Sequence, residues 1–583
     1  MRKRNPLMVL LLAAISFLPL WAATHPAHAP HAIVVSVQEL ASRAGVEVMR
    51  AGGNAVDAAV ATGFALAVVH PQAGNLGGGG FMLFRANDGK AHFIDFREKA
   101  PAAATANMYL NAQGNVIAGA SVVGYKSISV PGSVAGLVYA EKTYGKLGLG
   151  QVMAPAIKLA REGFALPWED AKDIQDDTDL AKFPESYRIF QRDGKFYKQG
   201  DILRQPELAR TLERIANNPD DFYRGAMARE LAAFIQKGGG LVTADDLAQY
   251  EVKEREPIQG TYRGYEIISS PPPSAGGTAL VELLNILEGY DLAKAGNRSS
   301  AAVHLTVEAF RRAYFDKAEF MGDPDFSKIP VAQLIDKKYG AAWRESIDPT
   351  HASSSKDLKR PAIFSELEQY ASRHPQPLQV REPEHTTHYS VVDSDGNAVA
   401  VTTTLNDTFG SRVTAEGLGF LLNDEMDDFA SKQGVPNIYG LIQGPANAIG
   451  PGKRPLSSMT PTMVLKDGKI FLVLGSPGGS RIITTVANIL MGVVDYGMNI
   501  QESVDALRFH HQWLPDQISV EQWFSPDTIS TLRKMGHKVE IGETVLDQWY
   551  PYWSDGECIA IDLKTGDRMG ASDGRHNGKA VGY

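Results

Sequence analysis

The sequence predicts an α+β chain on three observations. Two β-branched runs, Thr386 to Asp393 and Val399 to Thr404, flank Asp395-Gly396, a two-residue hairpin signal. Helical periodicity dominates from Gly132 to Leu247. After Thr386, strand patterns alternate with two helical ones, near Ser480 to Asp495 and Gln501 to Leu507.

In chain order, Arg2, Lys3 and Arg4 precede an apolar stretch from Leu7 to about Leu20 and small residues at Ala22 and Ala23. That stretch is shorter than the ~20 residues needed to cross a bilayer and contains Pro19, so residues 1–29 are expected to be a secretory signal. The cut is expected between 22 and 29, where Ala27-His28-Ala29 fits the small-x-small rule but would leave Pro30 after it. Glu39 to Arg50 is an amphipathic helix stopped by Gly52-Gly53, and Asn54 caps an Ala/Val-rich buried helix to Val69. The cluster Gly77 to Gly80 lacks the Lys-Ser/Thr of a phosphate loop, which leaves close backbone packing as its expected use. Tyr262 to Ser269 is predicted as strand. Val303 to Phe320 is predicted as a helix, its His304, Arg311 and Arg312 solvated or structural. Ser353 to His385 is polar, contains proline and has no period, as suits an exposed segment leading to a cleavage point.

The formal charge of −9 argues against a nucleic-acid partner, and there is no Cys/His zinc spacing. No later segment is long and apolar enough to span a membrane. Cys558 is the single cysteine, which excludes an intrachain disulfide. A secreted chain of this size without disulfides suggests a bacterial periplasm.

Thr386 carries the chemistry. Were the bond before it cut, it would have both a hydroxyl nucleophile and a free α-amine, which titrates near ~8 and can act as its general base. With a two-residue loop, Ser394 faces Asn397 and Thr386 lies opposite Leu405, so Thr404 and Asn406 flank the nucleophile.

Here a resemblance becomes specific. Thr386-Thr387-His388-Tyr389-Ser390, Asn423-Asp424-Glu425-Met426-Asp427-Asp428-Phe429, Arg454-Pro455-Leu456-Ser457-Ser458-Met459 and Gly475-Ser476-Pro477-Gly478-Gly479-Ser480 follow the order and spacing of the gamma-glutamyltranspeptidases. Asp95-Phe96-Arg97-Glu98 and Pro271 to Gly277 extend the match upstream. The resemblance implies a four-layer αββα sandwich of the N-terminal nucleophile hydrolase type. It also implies self-cleavage between His385 and Thr386 into a large subunit, 30–385, and a small subunit, 386–583, that stay associated. It implies no metal and no cofactor.

A γ-glutamyl group presents a carboxylate, an ammonium and an amide carbonyl. Arg97 suits the carboxylate because a guanidinium binds it bidentately, with the Ser457 and Ser458 hydroxyls beside it. Glu425, Asp428 and the Asn406 amide suit the ammonium, and the resemblance gives these positions the same roles. Gly478 and Gly479 are expected to offer N–H groups to the oxyanion, a contribution of ~3 kcal/mol per donor. Thr404 is expected to orient the nucleophile, and Tyr439 matches the lid tyrosine of members that cover the glutamyl pocket. Asn406 and Asn297 begin glycosylation sequons. A glycan at Asn406 would block this pocket, which again favours a bacterial source.

Two places depart from the family pattern: the aromatic run Trp549-Tyr550-Pro551-Tyr552-Trp553, and Asp573-Gly574-Arg575, with glycine for the usual proline. They bear on the acceptor side or on packing of the last strands. The competing readings are a cephalosporin or glutaryl acylase, which would not need Arg97, Asn406, Glu425 and Asp428 together, and an unprocessed binding protein.

Overall fold

The computed structural model describes residues 24–364, 367, 386–542 and 553–583. Residues 1–23 of the expected signal, His385, Trp549, Tyr550 and Tyr552 lie outside the described residues.

Two seven-stranded sheets, antiparallel throughout, form the centre. The first runs Lys579–Gly582, Ile33–Ser36, Thr386–Val392, Ala398–Thr404, Gly79–Arg85, Ala91–Phe96, Lys253–Arg255. The second runs Ala27–Ala29, Arg568–Ser572, Glu557–Ile561, Lys469–Leu474, Thr462–Lys466, Tyr265–Ser269, Ile258–Tyr262. Each sheet thus mixes strands from before and after Thr386.

Alternation along each strand sorts the side chains into layers. Phe81, Leu83, Ala400, Met463 and Val473 fill the space between the sheets. Tyr389, Val391, Val399 and Val401 face the other way, onto the helices Glu39–Arg50 and Ala55–Val69. The outer face of the second sheet packs Val464 and Leu472 against Gly276–Leu287 and Ile482–Val494. The result is the expected αββα sandwich.

The cap at Asn54 is a full capping box, its side chain accepting from the Val56 and Asp57 N–H groups while Asp57 accepts from the Asn54 N–H. The glycine cluster is close packing, as expected: a Cβ on Gly78 would stand 1.9 Å from the Thr404 carbonyl oxygen. The helix Ser300–Phe320 carries its charges inside, where Glu308 joins Arg311 and Arg312 in a buried cluster.

Two expectations need correction. Tyr262 to Ser269 is not one strand, because Arg263 and Gly264 take positive φ and turn the chain into a hairpin. The nucleophile hairpin has a three-residue loop, 394–396, rather than two residues. Asp393 N–H donates to the Asn397 carbonyl at 3.1 Å, and Gly396 takes φ +87°. The Asp393 carboxylate fixes that loop by accepting from the Asp395 and Asn397 N–H groups. Thr386 therefore lies opposite Thr404, not Leu405. A one-residue slip exchanges faces, so the observed register places both hydroxyls on the inter-sheet face.

Candidate active site

Thr386 begins its strand and is nearly buried. Its Oγ1 stands 3.2 Å from Thr404 Oγ1, which also accepts from the Asn406 N–H at 2.9 Å. Thr404 is thereby held beside the Thr386 hydroxyl. Asn406 sits at φ +85° just beyond the strand, and its amide donates to the Asp424 carbonyl and carboxylate at 3.2 Å each. Its expected contact with an ammonium therefore competes with Asp424.

Arg97 follows the strand Ala91–Phe96 and is wholly buried. Asp95 holds it from behind: this carboxylate accepts from the Arg97 N–H at 2.9 Å and from Arg454 at 3.0 Å, while Arg454 also donates to the Arg97 carbonyl at 2.7 Å. The strings Asp95-Phe96-Arg97 and Arg454-Pro455-Leu456 thus lock together. The Arg97 guanidinium donates to Glu425, to Asp428 at 2.5 Å, and to the Pro455 and Leu456 carbonyls at 3.2 Å each. Expected as separate cation and anion subsites, these groups form one joined cluster. A zwitterion can enter it by exchange, its carboxylate taking the guanidinium and its ammonium a released carboxylate.

Burial opposes charge on Arg97, but Glu425, Asp428 and Glu98 outweigh it and raise its pKa. Glu98 has both oxygens without a hydrogen bond; burial pushes it up to about 7, against the pull of Arg97. Burial likewise holds Glu425 well above the usual carboxylate range. Several acids therefore surround one guanidinium, and burial disfavours the charged form of Glu98 and Glu425.

The turn expected to receive the oxyanion follows the strand Lys469–Leu474, with Gly478 at φ +120° and Gly479 at φ +51°. Both values favour glycine, and space does too: a Cβ would come 1.9 Å from Ser554 Oγ at Gly478 and 2.4 Å from the Tyr439 ring at Gly479. The Tyr439 hydroxyl donates to the Asn406 carbonyl at 2.6 Å, tying this residue over the site. One cavity of about 20 Å³ is lined by Thr386, Thr404, Asn406, Arg97, Asp428 and Gly479, and also by Glu425, Tyr439, Ser457 and Ser458. That volume holds about one water. Of the expected residues with described positions, only Gly478 is outside its wall. Sequence reasoning missed three contributors: Lys317 and Gln443, which line the cavity, and Glu98 behind Arg97. Glu98 stands inside a quoted string; Lys317 and Gln443 had no local signal.

Residues 41–583 match the gamma-glutamyltranspeptidase family model. The chain belongs to the gamma-glutamyltranspeptidase family. It is 51% identical to a glutathione hydrolase proenzyme of Pseudomonas sp. (strain A14) over 526 residues, covering 89% of this chain and 88% of that one. The glutathione hydrolase proenzyme of Escherichia coli (strain K12) is 50% identical, with the same coverage. Among solved structures, the cephalosporin acylase from Bacillus halodurans superposes with a TM-score of 0.80 at 27% identity, over 97% of this chain and 98% of that one. The transpeptidase family and the acylase thus share the sandwich, and the side chains at the glutamyl end must distinguish them.

Proposed function

We propose that this chain is a proenzyme that cleaves itself before Thr386 and then breaks γ-glutamyl amides such as glutathione. The observation that carries this reading is one cavity holding a paired hydroxyl, Thr386 with Thr404, beside a buried guanidinium and two carboxylates. In maturation the Thr386 hydroxyl attacks the carbonyl of residue 385 and the amide C–N bond breaks, which frees the α-amine and leaves an ester; water then opens the ester, releasing the carboxylate of residue 385 and restoring the Thr386 hydroxyl. In turnover that amine takes the hydroxyl proton as Oγ1 attacks the γ-carbonyl, the turn at Gly478 and Gly479 receiving the oxyanion. The C–N bond breaks, the departing amine takes the proton, and water or an acceptor amine then takes the glutamyl group from the ester. The subunits 30–385 and 386–583 remain together because each sheet is built from both.

The segment 1–29, cut between 22 and 29, would direct secretion, to the periplasm of a bacterium. Ala27–Ala29 pairs with Arg568 to Gly570, so a cut near Ala22-Ala23 keeps this edge strand whereas one after Ala29 removes it. Among the described residues no helix is long and apolar enough to cross a membrane.

An assay of purified protein on a γ-glutamyl anilide and on the matching glutaryl anilide tests this function. The expected result is two bands on a denaturing gel and a strong preference for the γ-glutamyl compound. One full-length band, or preference for the glutaryl compound, overturns it in favour of a binding protein or an acylase.

A further inference from the structure

Lys317 is a cation in the cavity that the chemistry above does not use. It lies in the last turn of the helix Ser300–Phe320, is 4% exposed, and lines the same wall as Asp428 and Gly479. Among the described residues its ammonium has no hydrogen-bond or ion-pair partner; it stands 5.7 Å from the centroid of the Tyr314 ring. Tyr314 is itself fixed, donating its hydroxyl to the Ser480 carbonyl in the oxyanion turn. Burial lowers Lys317 to about 8, and Asp428 opposes that shift.

The groups around it define its electrostatic role. Asp428 lines the same cavity from the turn Glu425–Asp428 and acts on Lys317 electrostatically, and Arg97 holds that same carboxylate. On the other side His510 is kept neutral by burial, with Arg481 and Lys317 acting in the same direction. Tyr439, above, is held neutral by burial. Three cations therefore converge on Asp428 once a donor binds: Arg97, Lys317 and the donor ammonium. Arg97 can exchange Asp428 for the donor carboxylate and remain paired. Lys317 is anchored by its buried stem, and among the described residues Asp428 is the anion that acts on it.

We propose that Lys317 is a specificity-determining positioning residue: its protonated amine competes with the donor ammonium for Asp428, and its neutral amine admits that ammonium. The inference rests on Asp428 receiving the ammonium, as proposed above. It goes further in making donor affinity depend on a lysine outside the sequence motifs.

The test measures KM and kcat for a γ-glutamyl anilide, without acceptor, at pH 6.5 and 8.5. Wild type, Lys317→Met and Lys317→Arg are compared, each shown by gel to be processed. Lys317→Met should lower KM at pH 6.5 by about five- to tenfold and converge with wild type at pH 8.5, with the change in KM exceeding that in kcat. Lys317→Arg, a permanent cation, should keep KM high at both pH values. Glu98 titrates in the same window, but it is unchanged in every variant, so the comparison isolates Lys317. A glutaryl anilide has no ammonium, and its KM should not fall in Lys317→Met. A raised KM in Lys317→Met at pH 6.5 overturns the proposal and makes the lysine a donor contact. Equal kcat losses in both variants, with the pH dependence of KM intact, overturn it in favour of packing. If Lys317→Met does not mature, Lys317→Arg against wild type at pH 8.5 decides alone, and equal KM values reject the proposal. Wild type inactive on the γ-glutamyl compound would reject the function itself.

Discussion

The two sides of the turn at Gly478 and Gly479 are built on different principles. On the glutamyl side, short strings of sequence become direct contacts: Asp95 braces Arg97, Arg454 braces Asp95, and Glu425 and Asp428 meet the guanidinium. Beyond the turn, the ionic groups hold backbone. Arg508 donates to the Trp553 and Ser554 carbonyls at 2.6 and 2.5 Å and pairs with Asp573 at 2.5 Å, and Arg575 joins Asp573 to Glu521. That network fixes Ser554 against Gly478. In the proposed function one side supplies groups to a ligand, and the other supplies rigidity to the turn.

The largest effect expected from breaking the glutamyl side is at its nucleophile. Thr386→Ala should remain a single chain and show no turnover, because the same hydroxyl serves maturation and catalysis. N-terminal sequencing of the wild-type small subunit checks the assignment; any first residue other than Thr386 would falsify it.

Next in size is Arg97→Ala. It should lower kcat/KM for the γ-glutamyl anilide at least about 100-fold, through loss of a charge-assisted contact worth ~1.5–3 kcal/mol and disorder in the groups it holds. It also leaves Glu425 and Asp428 buried without their cation, a destabilisation of order 3–5 kcal/mol that a lowered Tm should reveal. Arg97→Lys keeps the charge but not the fork, and should recover part of the stability and little of the activity. Unchanged kcat/KM in Arg97→Ala would remove Arg97 from substrate binding.

These two sides also explain what the sequence disclosed. A zwitterion demands particular side chains, so Arg97, Asp428 and the serines could be picked out within their strings, and the fold brings them to one cavity. The helix Glu39–Arg50 and the cap at Asn54 were legible because period and capping are local. The hairpin register was misread by one residue because Asp395-Gly396 suits either loop length, and the Asp393 carboxylate selects the longer one. Lys317 reaches the cavity from a helix whose other charges are structural, so only the tertiary fold reveals its place. The Arg508–Asp573 pair spans 65 residues of sequence, and no local pattern links its members.

Beyond the turn, Asp573→Ala should act through stability. Removing one member of this buried pair leaves Arg508 uncompensated, at about 3–5 kcal/mol. Tm should fall, and hydrolysis and transfer should fall together. The pH dependence has a defined sign. Burial pushes the Asp573 carboxyl up, but Arg508 and Arg575 outweigh it and hold it at about 2, below its ordinary unfolded value near ~3.9. This contribution is present above pH ~4 and is lost as pH falls toward about 2. Denaturant titrations of wild type between pH 5 and 2 should show that loss, and the variant should show a shallower slope. A changed ratio of transfer to hydrolysis in Asp573→Ala would show that the network shapes the acceptor path itself.

The smallest effect is expected at Trp553, the described residue of the aromatic run. Its ring is buried, and the Arg481 guanidinium lies 4.5 Å from the ring centroid, one residue beyond Ser480. The structure thus uses it for packing against the oxyanion turn, where the sequence left open either packing or an acceptor wall. Trp553→Ala is a poor probe, because emptying an aromatic core position removes ~3–5 kcal/mol and confounds both readings. Trp553→Phe keeps an aromatic face under Arg481 and weakens a cation–π contact worth ~0.5–2 kcal/mol. Packing predicts a slightly lower Tm and a transfer-to-hydrolysis ratio within about twofold of wild type across glycylglycine and bulky aromatic acceptors. An acceptor wall predicts the opposite: an unchanged Tm with a ratio that shifts most for the aromatic acceptors, whose buried surface the indole would cover at ~25 cal/mol per Å². Since both activities come from one assay series on one preparation, a selective shift for aromatic acceptors would move Trp553 from the rigid side of the turn to the ligand side.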